Sequence, residues 1–310
     1  MNKKRGFMWL FYLGAVLLVQ GCTQQEEKDK RYIFLGHPYD WQDWYGIDPR
    51  LESLDFSSYD QVWLGGDVCS RLTFKESTLD YLDSIFDLSS EKLQWTLGNH
   101  DIKYGNIDFI TKRTGRNTFY TRTFDGICLL VLNTNLFRYF PPKQLQDDCD
   151  QRAEQLELIK NITDTISESS HLVILHHHAI MSELRRDSSG QIPEVFNTNY
   201  PGIQASCDSA FYLTDFLYPK LKQVRSRGVK VILVGGDFGM RAKEYEFQTP
   251  DSIVFLGSGI NNSLEFATAP DYVTSFDKDK ILIFHRDVRK KSLDWEFLDL
   301  DDLVESRKEN

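Results

Sequence analysis

Cations are scarce in this chain: 36 Lys and Arg stand against 46 Asp and Glu, a formal net charge of -10. That deficit excludes a general nucleic-acid binder, which needs a basic stripe against the phosphate backbone. Proline is sparse as well, with 9 residues, and the 19 glycines do not recur at every third position as a collagen helix requires. No self-similar period of roughly 20–50 residues runs through the chain, which excludes solenoids and propellers. No Pro- or Ser-rich linker interrupts residues 31–300, so they are expected to form a single domain. No apolar run reaches the ~20 residues of a membrane-spanning helix. The chain is nonetheless 41% hydrophobic, too apolar for intrinsic disorder. Its 310 residues are long enough to bury about three-quarters of the unfolded surface.

The N-terminus carries a leader. Lys3, Lys4 and Arg5 form a basic head, 7–19 is an unbroken run of apolar residues and Gly, and Gln20-Gly21-Cys22 follows. A positive head, a short apolar stretch and a small residue before the cut describe a secretory signal. The Val19-Gln20-Gly21-Cys22 ending resembles a bacterial lipobox, which implies cleavage before Cys22 and a lipid anchor on it. Residues 1–22 are thus expected to be a lipoprotein signal peptide and 23–30 a polar tether. The mature chain would be a membrane-anchored lipoprotein on the periplasmic side or the outer-membrane surface. Losing three cations and no acid takes its charge from -10 to -13. An anionic substrate would then need local cations or metals, because the global field repels it. Beyond Cys22 the cysteines are Cys69, Cys128, Cys149 and Cys207, which allow three complete pairings. Cys128 lies in an apolar run and reads as a buried free thiol. Cys149 and Cys207 sit in loop-like surroundings, where they could pair.

Apolar runs at 31–35, 61–64, 93–97, 126–132, 171–175 and 229–234 read as strands. Helical patterns fall at 77–88, 150–167 and 219–227, the last opened by Pro219 and closed by Gly228. Later runs at 244–247, 252–256, 280–285 and 293–298 are strand-like, and 301–310 reads as a polar tail. The order is βα-rich first and β-rich after, an α/β class with packed sheets and helices outside.

Each of the first six strands ends in Gly, Asp, Asn or His: Gly36-His37, Gly65-Gly66-Asp67, Gly98-Asn99-His100-Asp101, Asn133, His176-His177-His178 and Gly235-Gly236-Asp237. In open α/β sheets, ligands bind beyond the carboxyl ends of the strands. These clusters can therefore converge although they are spread over some 200 positions of sequence. Asp67, Asn99, His176 and Asp237 offer two carboxylates, an amide oxygen and an imidazole, a donor set suited to Mn, Fe or Zn.

These residues resemble the calcineurin-like metallophosphoesterases over 31–287. The family pattern is Asp-x-His, Gly-Asp, Gly-Asn-His-Asp/Glu, a His after an apolar strand, and Gly-His-x-His. Gly66-Asp67 and Gly98-Asn99-His100-Asp101 match it closely, and Leu175-His176 supplies the strand-end His. The resemblance implies a four-layer α/β/β/α sandwich with a metal centre between its loops. It also implies metal ligation by Asp67, Asn99, His176 and Asp237, with His100 as a catalytic acid whose ring Asp101 orients. Two positions depart from the pattern. His37-Pro38-Tyr39 stands where the family has Asp-x-His, with His37 and Asp40 as candidate substitutes. Gly236-Asp237-Phe238-Gly239 stands where it has Gly-His-x-His. One ion is thus expected to be held firmly, and the second site is doubtful. A single divalent ion can still lower the pKa of bound water and polarise a phosphoryl oxygen.

Two functions follow from the resemblance: a metal-dependent phosphomonoesterase or phosphodiesterase tethered outside the cytoplasm, or a catalytically inactive relative that binds a ligand or partner. For the first, the substrate would be a phosphorylated small molecule or a phosphodiester. His177 and His178 read as spare ligands, substrate contacts or a polar strand end. Arg138, Lys143, Arg185 and Arg186, in the long segments 135–150 and 179–206, are candidate phosphate contacts.

Overall fold

The computed structural model describes residues 29–42, 46–69, 74–103, 105–137, 146–180, 207, 213–239, 241–260, 266–267, 269 and 273–308. The expected leader, Cys22, most of the expected tether, and Arg138, Lys143, Arg185 and Arg186 lie outside those residues. Among the described residues no helix is long and apolar enough to cross a membrane.

The fold is α/β, with two mixed sheets and seven α-helices among the described residues. In the first half come β1 (Lys30–Leu35), α1 (Pro49–Glu52), β2 (Gln61–Leu64), α2 (Glu76–Phe86), β3 (Leu93–Trp95), α3 (Asn99–Lys103), α4 (Ile107–Thr114), β4 (Tyr120–Phe124) and β5 (Ile127–Val131). The second half adds α5 (Gln146–Thr165), β6 (His171–His176), α6 (Leu213–Ser226), β7 (Lys230–Gly235), β8 (Glu244–Gln248), β9 (Ile253–Ser258), β10 (Lys280–Asp287), β11 (Ser292–Asp299) and α7 (Leu300–Lys308).

One sheet runs β11-β10-β1-β2-β3 and the other β4-β5-β6-β7-β9-β8. Each has a parallel centre, β1-β2-β3 in the first and β5-β6-β7-β9 in the second. Antiparallel strands flank them: β10 and β11 beside β1 in the first sheet, whose other edge is the parallel β3, and β4 and β8 at the two edges of the second. The strands of a parallel centre are apolar on both faces because both faces are covered. Ile33, Leu35, Val62 and Leu64 join Leu51, Leu79, Leu82, Ile110 and Leu300 in one buried cluster. Their strand neighbours Tyr32, Phe34 and Trp63 pack instead with Leu129, Val131, Val173, Leu175, Ile232 and Val234 of the other sheet. Leu130, Leu172, Ile174, Val231 and Leu233 meet Ile159 of α5 and Leu217, Leu221 and Val224 of α6 in a third cluster. Each fully buried side chain of this size contributes about 1.5–3 kcal/mol of hydrophobic stabilisation.

Arg286 on β10 ties the sheets at the amino ends of β5 and β6. Its Nε donates to Asp125 O at 2.9 Å, its Nη1 to Ser292 O at 3.0 Å and its Nη2 to Ser170 Oγ at 3.1 Å. Cys149, in the first turn of α5, is disulfide-bonded to Cys207 with Cα atoms 5.5 Å apart, a normal span for a disulfide. Cys69 and Cys128 are free and buried.

Two elements differ from the sequence reading. The segment read as a polar tail is mostly helical: α7 inserts Leu300 and Val304 into the first cluster. The helix expected to open at Pro219 starts six residues earlier and contains that proline. Leu213 and Leu217 before it and Leu221 and Val224 after it are all buried, and their packing offsets a proline cost of about 3 kcal/mol.

Candidate metal centre

The carboxyl ends of β1, β2 and β3 in one sheet meet those of β6 and β7 in the other. Glycine makes the meeting close enough. A Cβ on Gly236 would overlap the carbonyl of Gly65, and one on Gly98 would overlap the Asp67 carboxylate and amide nitrogen. His37 and Asp67 both adopt the left-handed backbone, with φ of 55° and 51°. Non-glycine residues held there store of order 1–3 kcal/mol of strain each, and such residues cluster at functional sites.

Asp67 is the hub. Its Oδ1 accepts the His100 backbone N–H at 2.7 Å. Its Oδ2 lies 3.1 Å from His37 Nε2 and 3.4 Å from His177 Nε2. His37, Asp67 and His177 are all buried. His177 Nδ1 sits 2.7 Å from Gly65 O. A carbonyl only accepts, so Nδ1 carries the hydrogen, and in the neutral ring Nε2 is left with the free lone pair. Burial would raise the Asp67 carboxyl, but the His177 charge and hydrogen bonds from His177 and His37 hold it well below the usual range. Burial likewise disfavours a charged His177, yet Asp67 overrides it and pushes the ring up to about 9. The two form a buried imidazolium–carboxylate pair in the metal-free protein.

Asp101 has a backbone role. Its Oδ2 accepts the amides of Asp67 at 2.9 Å and Gly98 at 2.8 Å, and its Oδ1 accepts Val68 N–H at 3.1 Å. Burial, then the Asp67 charge, pushes its carboxyl up to about 7. Both of its oxygens thus hold the Asp67 turn, a backbone role beside the one expected of it toward the His100 ring. The partly exposed ring of His100 stacks on Tyr39, with centroids 5.7 Å apart.

Asn99 meets the second sheet through His178. Thr134 Oγ1 accepts the His178 backbone N–H at 3.2 Å and lies 2.8 Å from His178 Nδ1. Asn99 Oδ1, which can only accept, lies 3.1 Å from His178 Nε2, so the ring hydrogen is on Nε2 and Nδ1 accepts from the Thr134 hydroxyl. Asp237 is half-buried at the same end. Phe238 turns inward against Tyr245 and Phe255, at 4.8 and 5.9 Å, and Gly239 packs on Gly259.

His176 stands apart. Its ring lies 5.4 Å from Phe255, and its Nδ1 bonds His178 O at 2.8 Å. Burial lowers its pKa to about 3. The physical reason is parity. Leu172 and Ile174 face α5 and α6, so His176 does too, while His177 follows Val173 and Leu175 toward the other sheet. The strand-end histidine beside Asp67 is His177, a ligand candidate that sequence reasoning placed one residue early. Asp40, the other candidate substitute in the first motif, accepts the Gln42 amide at 2.7 Å.

Two groups could hold a divalent ion: His37, Asp67 and His177, and His177, His178 and Asp237, each with ligand atoms within 4.8 Å of one another. The first group fits well. Around a tetrahedral ion with bonds of about 2.0–2.1 Å, neighbouring donors stand about 3.3–3.4 Å apart. The observed 3.1 and 3.4 Å are close to that spacing. The buried His177 Nε2, one of the three candidate ligand atoms, has no well-formed hydrogen bond. The Nδ1–H to carbonyl bond of His177 is the outer contact that orients metal-binding imidazoles. Asn99 and His100, half-buried, edge the same end of the sheets as Asp237. No family model matches this chain. No curated protein matches it either.

Proposed function

We propose that the chain is a metal-dependent phosphoester hydrolase and a divergent calcineurin-like metallophosphoesterase, tethered outside the cytoplasm by a lipid on Cys22. Its finer architecture would be the α/β/β/α sandwich of that family, a reading supported by the three buried clusters and their division of strand faces. One observation carries the functional reading. His37, Asp67, Asn99, His100, His177, His178 and Asp237 are drawn from both sheets to the same strand ends. Asp67 and the histidines would hold Mn, Fe or Zn. When bound, such an ion supplies an acidified water and a polarised phosphoryl oxygen. Asp101 keeps the Asp67 carboxylate in place through three backbone amides. The partly exposed His100 ring, stacked on Tyr39, would deliver a proton to the leaving oxygen, a contribution typically of 10²–10⁴ in rate.

The test uses the full chain in detergent, loaded with Mn, Fe or Zn, on p-nitrophenyl phosphate and bis(p-nitrophenyl) phosphate. Hydrolysis should fall at least 100-fold in Asp67→Asn, and kcat should fall in His100→Ala. Undiminished hydrolysis in Asp67→Asn, or none with any of the three metals, would sink the reading. Release of the chain from the membrane fraction by Cys22→Ser checks the tether. The non-catalytic alternative draws support from the complete burial of His37, Asp67 and His177 and the inward turn of Phe238.

A further inference from the structure

We infer that this chain holds a single divalent ion, ligated by His37 Nε2, Asp67 Oδ2 and His177 Nε2, and that this ion braces the two sheets against each other. The inference rests on the metal-binding part of the reading above and not on phosphoester chemistry.

The count follows from the nitrogens. Both candidate groups need His177. Its Nδ1 is committed to Gly65 O, so it has one lone pair to give and serves one ion. The group that loses His177 keeps His178 and Asp237. Both ring nitrogens of His178 are already engaged, Nδ1 by Thr134 and Nε2 by Asn99. Seating an ion on His178 would break the bond that holds Asn99. The His37 group needs no such rearrangement, because two of its contacts already stand near the spacing of donors around one ion.

The bracing follows from the topology. His37 follows β1 and Asp67 follows β2, both in the five-stranded sheet, whereas His177 follows β6 in the six-stranded one. At this end the backbones meet through Gly65 and Gly236, which carry no side chains, and the polar contacts of His177 with Gly65 O and of His178 with Asn99 span the join; an ion on Asp67 and His177 would add to them. Two histidines and one carboxylate are also a donor set shared by hydrolytic zinc sites and non-haem iron sites.

The experiment is a Co(II) titration of the chelator-treated full chain in detergent, read by visible absorption and by thermal unfolding. One equivalent should bind, with the intense bands of a low-coordinate site. Tm should rise by roughly 7 °C at a thousandfold excess over Kd. His37→Ala should lose both signals. Asp67→Asn, nearly isosteric, should do the same and guards against misfolding of the first variant, with far-UV circular dichroism as control. Asp237→Asn and His178→Gln should still bind one equivalent. Two equivalents, no binding, or one equivalent that survives His37→Ala but not Asp237→Asn would overturn the inference. A chain that binds one ion in this way but hydrolyses no phosphoester sinks the hydrolase and leaves the brace standing. Two ions with hydrolysis does the reverse.

Discussion

Removing the Cys149–Cys207 disulfide should destabilise the protein by an amount set by chain length. The bridge spans a sequence separation of 58 residues. Loop-closure entropy for that length amounts to about 4 kcal/mol. An unfolding entropy near 2.1 cal/mol/K per residue, summed over residues 23–310, converts this to a Tm loss of roughly 7 °C. The metal centre should be unaffected. The helix bearing Cys149 is independently joined to the strand ends through Gln155, whose Oε1 accepts Asn133 N–H at 2.7 Å and whose Nε2 donates to Asn133 O at 3.1 Å. The assay is calorimetry of the wild-type chain against a Cys149→Ser/Cys207→Ser double variant, with ion stoichiometry measured on both. A loss below about 2 °C would refute the loop-entropy argument. Loss of the ion in the double variant would refute the independence of the centre from the bridge.

Four further outcomes are expected. Burial, with Arg286 next, lowers His171 to about 4, so the folded protein excludes a proton that the unfolded chain accepts below about 6.5. Its contribution is complete above that pH and falls by up to about 1.4 kcal/mol per unit down to about pH 4, so His171→Leu should flatten the pH dependence of urea unfolding in that window. Gly98→Ala should abolish stoichiometric ion binding, because its methyl would displace Asp67, and metal analysis of the folded variant checks this. Asp101→Asn keeps the shape but has a single acceptor oxygen for three backbone amides. It should cost about 2–3 kcal/mol in urea unfolding and weaken ion binding. Arg286→Met should cost roughly 3 kcal/mol by leaving the carbonyls of Asp125 and Ser292 without their donor, with the ion still bound at the far end of the sheets.

Strand positions were legible because parallel strands are short, apolar and punctuated by glycine; β2 coincides with its expected 61–64. The same uniformity hid which way each side chain points. β6 is apolar at every position from Leu172 to Leu175, so no alternation told His176 from His177. Only the partner sheet settles that choice, through Gly65 and Asp67. The small helix α4 and the edge strand β4 escaped notice for a different reason. They are eight and five residues long, about two helical turns in one case and a half-exposed edge in the other, too short a window for a period to be told from loop. Asp101 was legible as part of a motif but not in its backbone role, since backbone amides as partners leave no trace in side-chain spacing.

The left-handed backbones of His37 and Asp67 place two of the candidate ligands on strained positions. Glycine would relax either backbone by of order 1 kcal/mol, but at Asp67 it would strand the buried His177 charge, a loss of about 3–5 kcal/mol, and at His37 it would empty a buried site. Selection for heat resistance alone would thus keep both strained residues, and a lineage with no use for an ion should retain Asp67 and His37 for their contacts with one another and with His177.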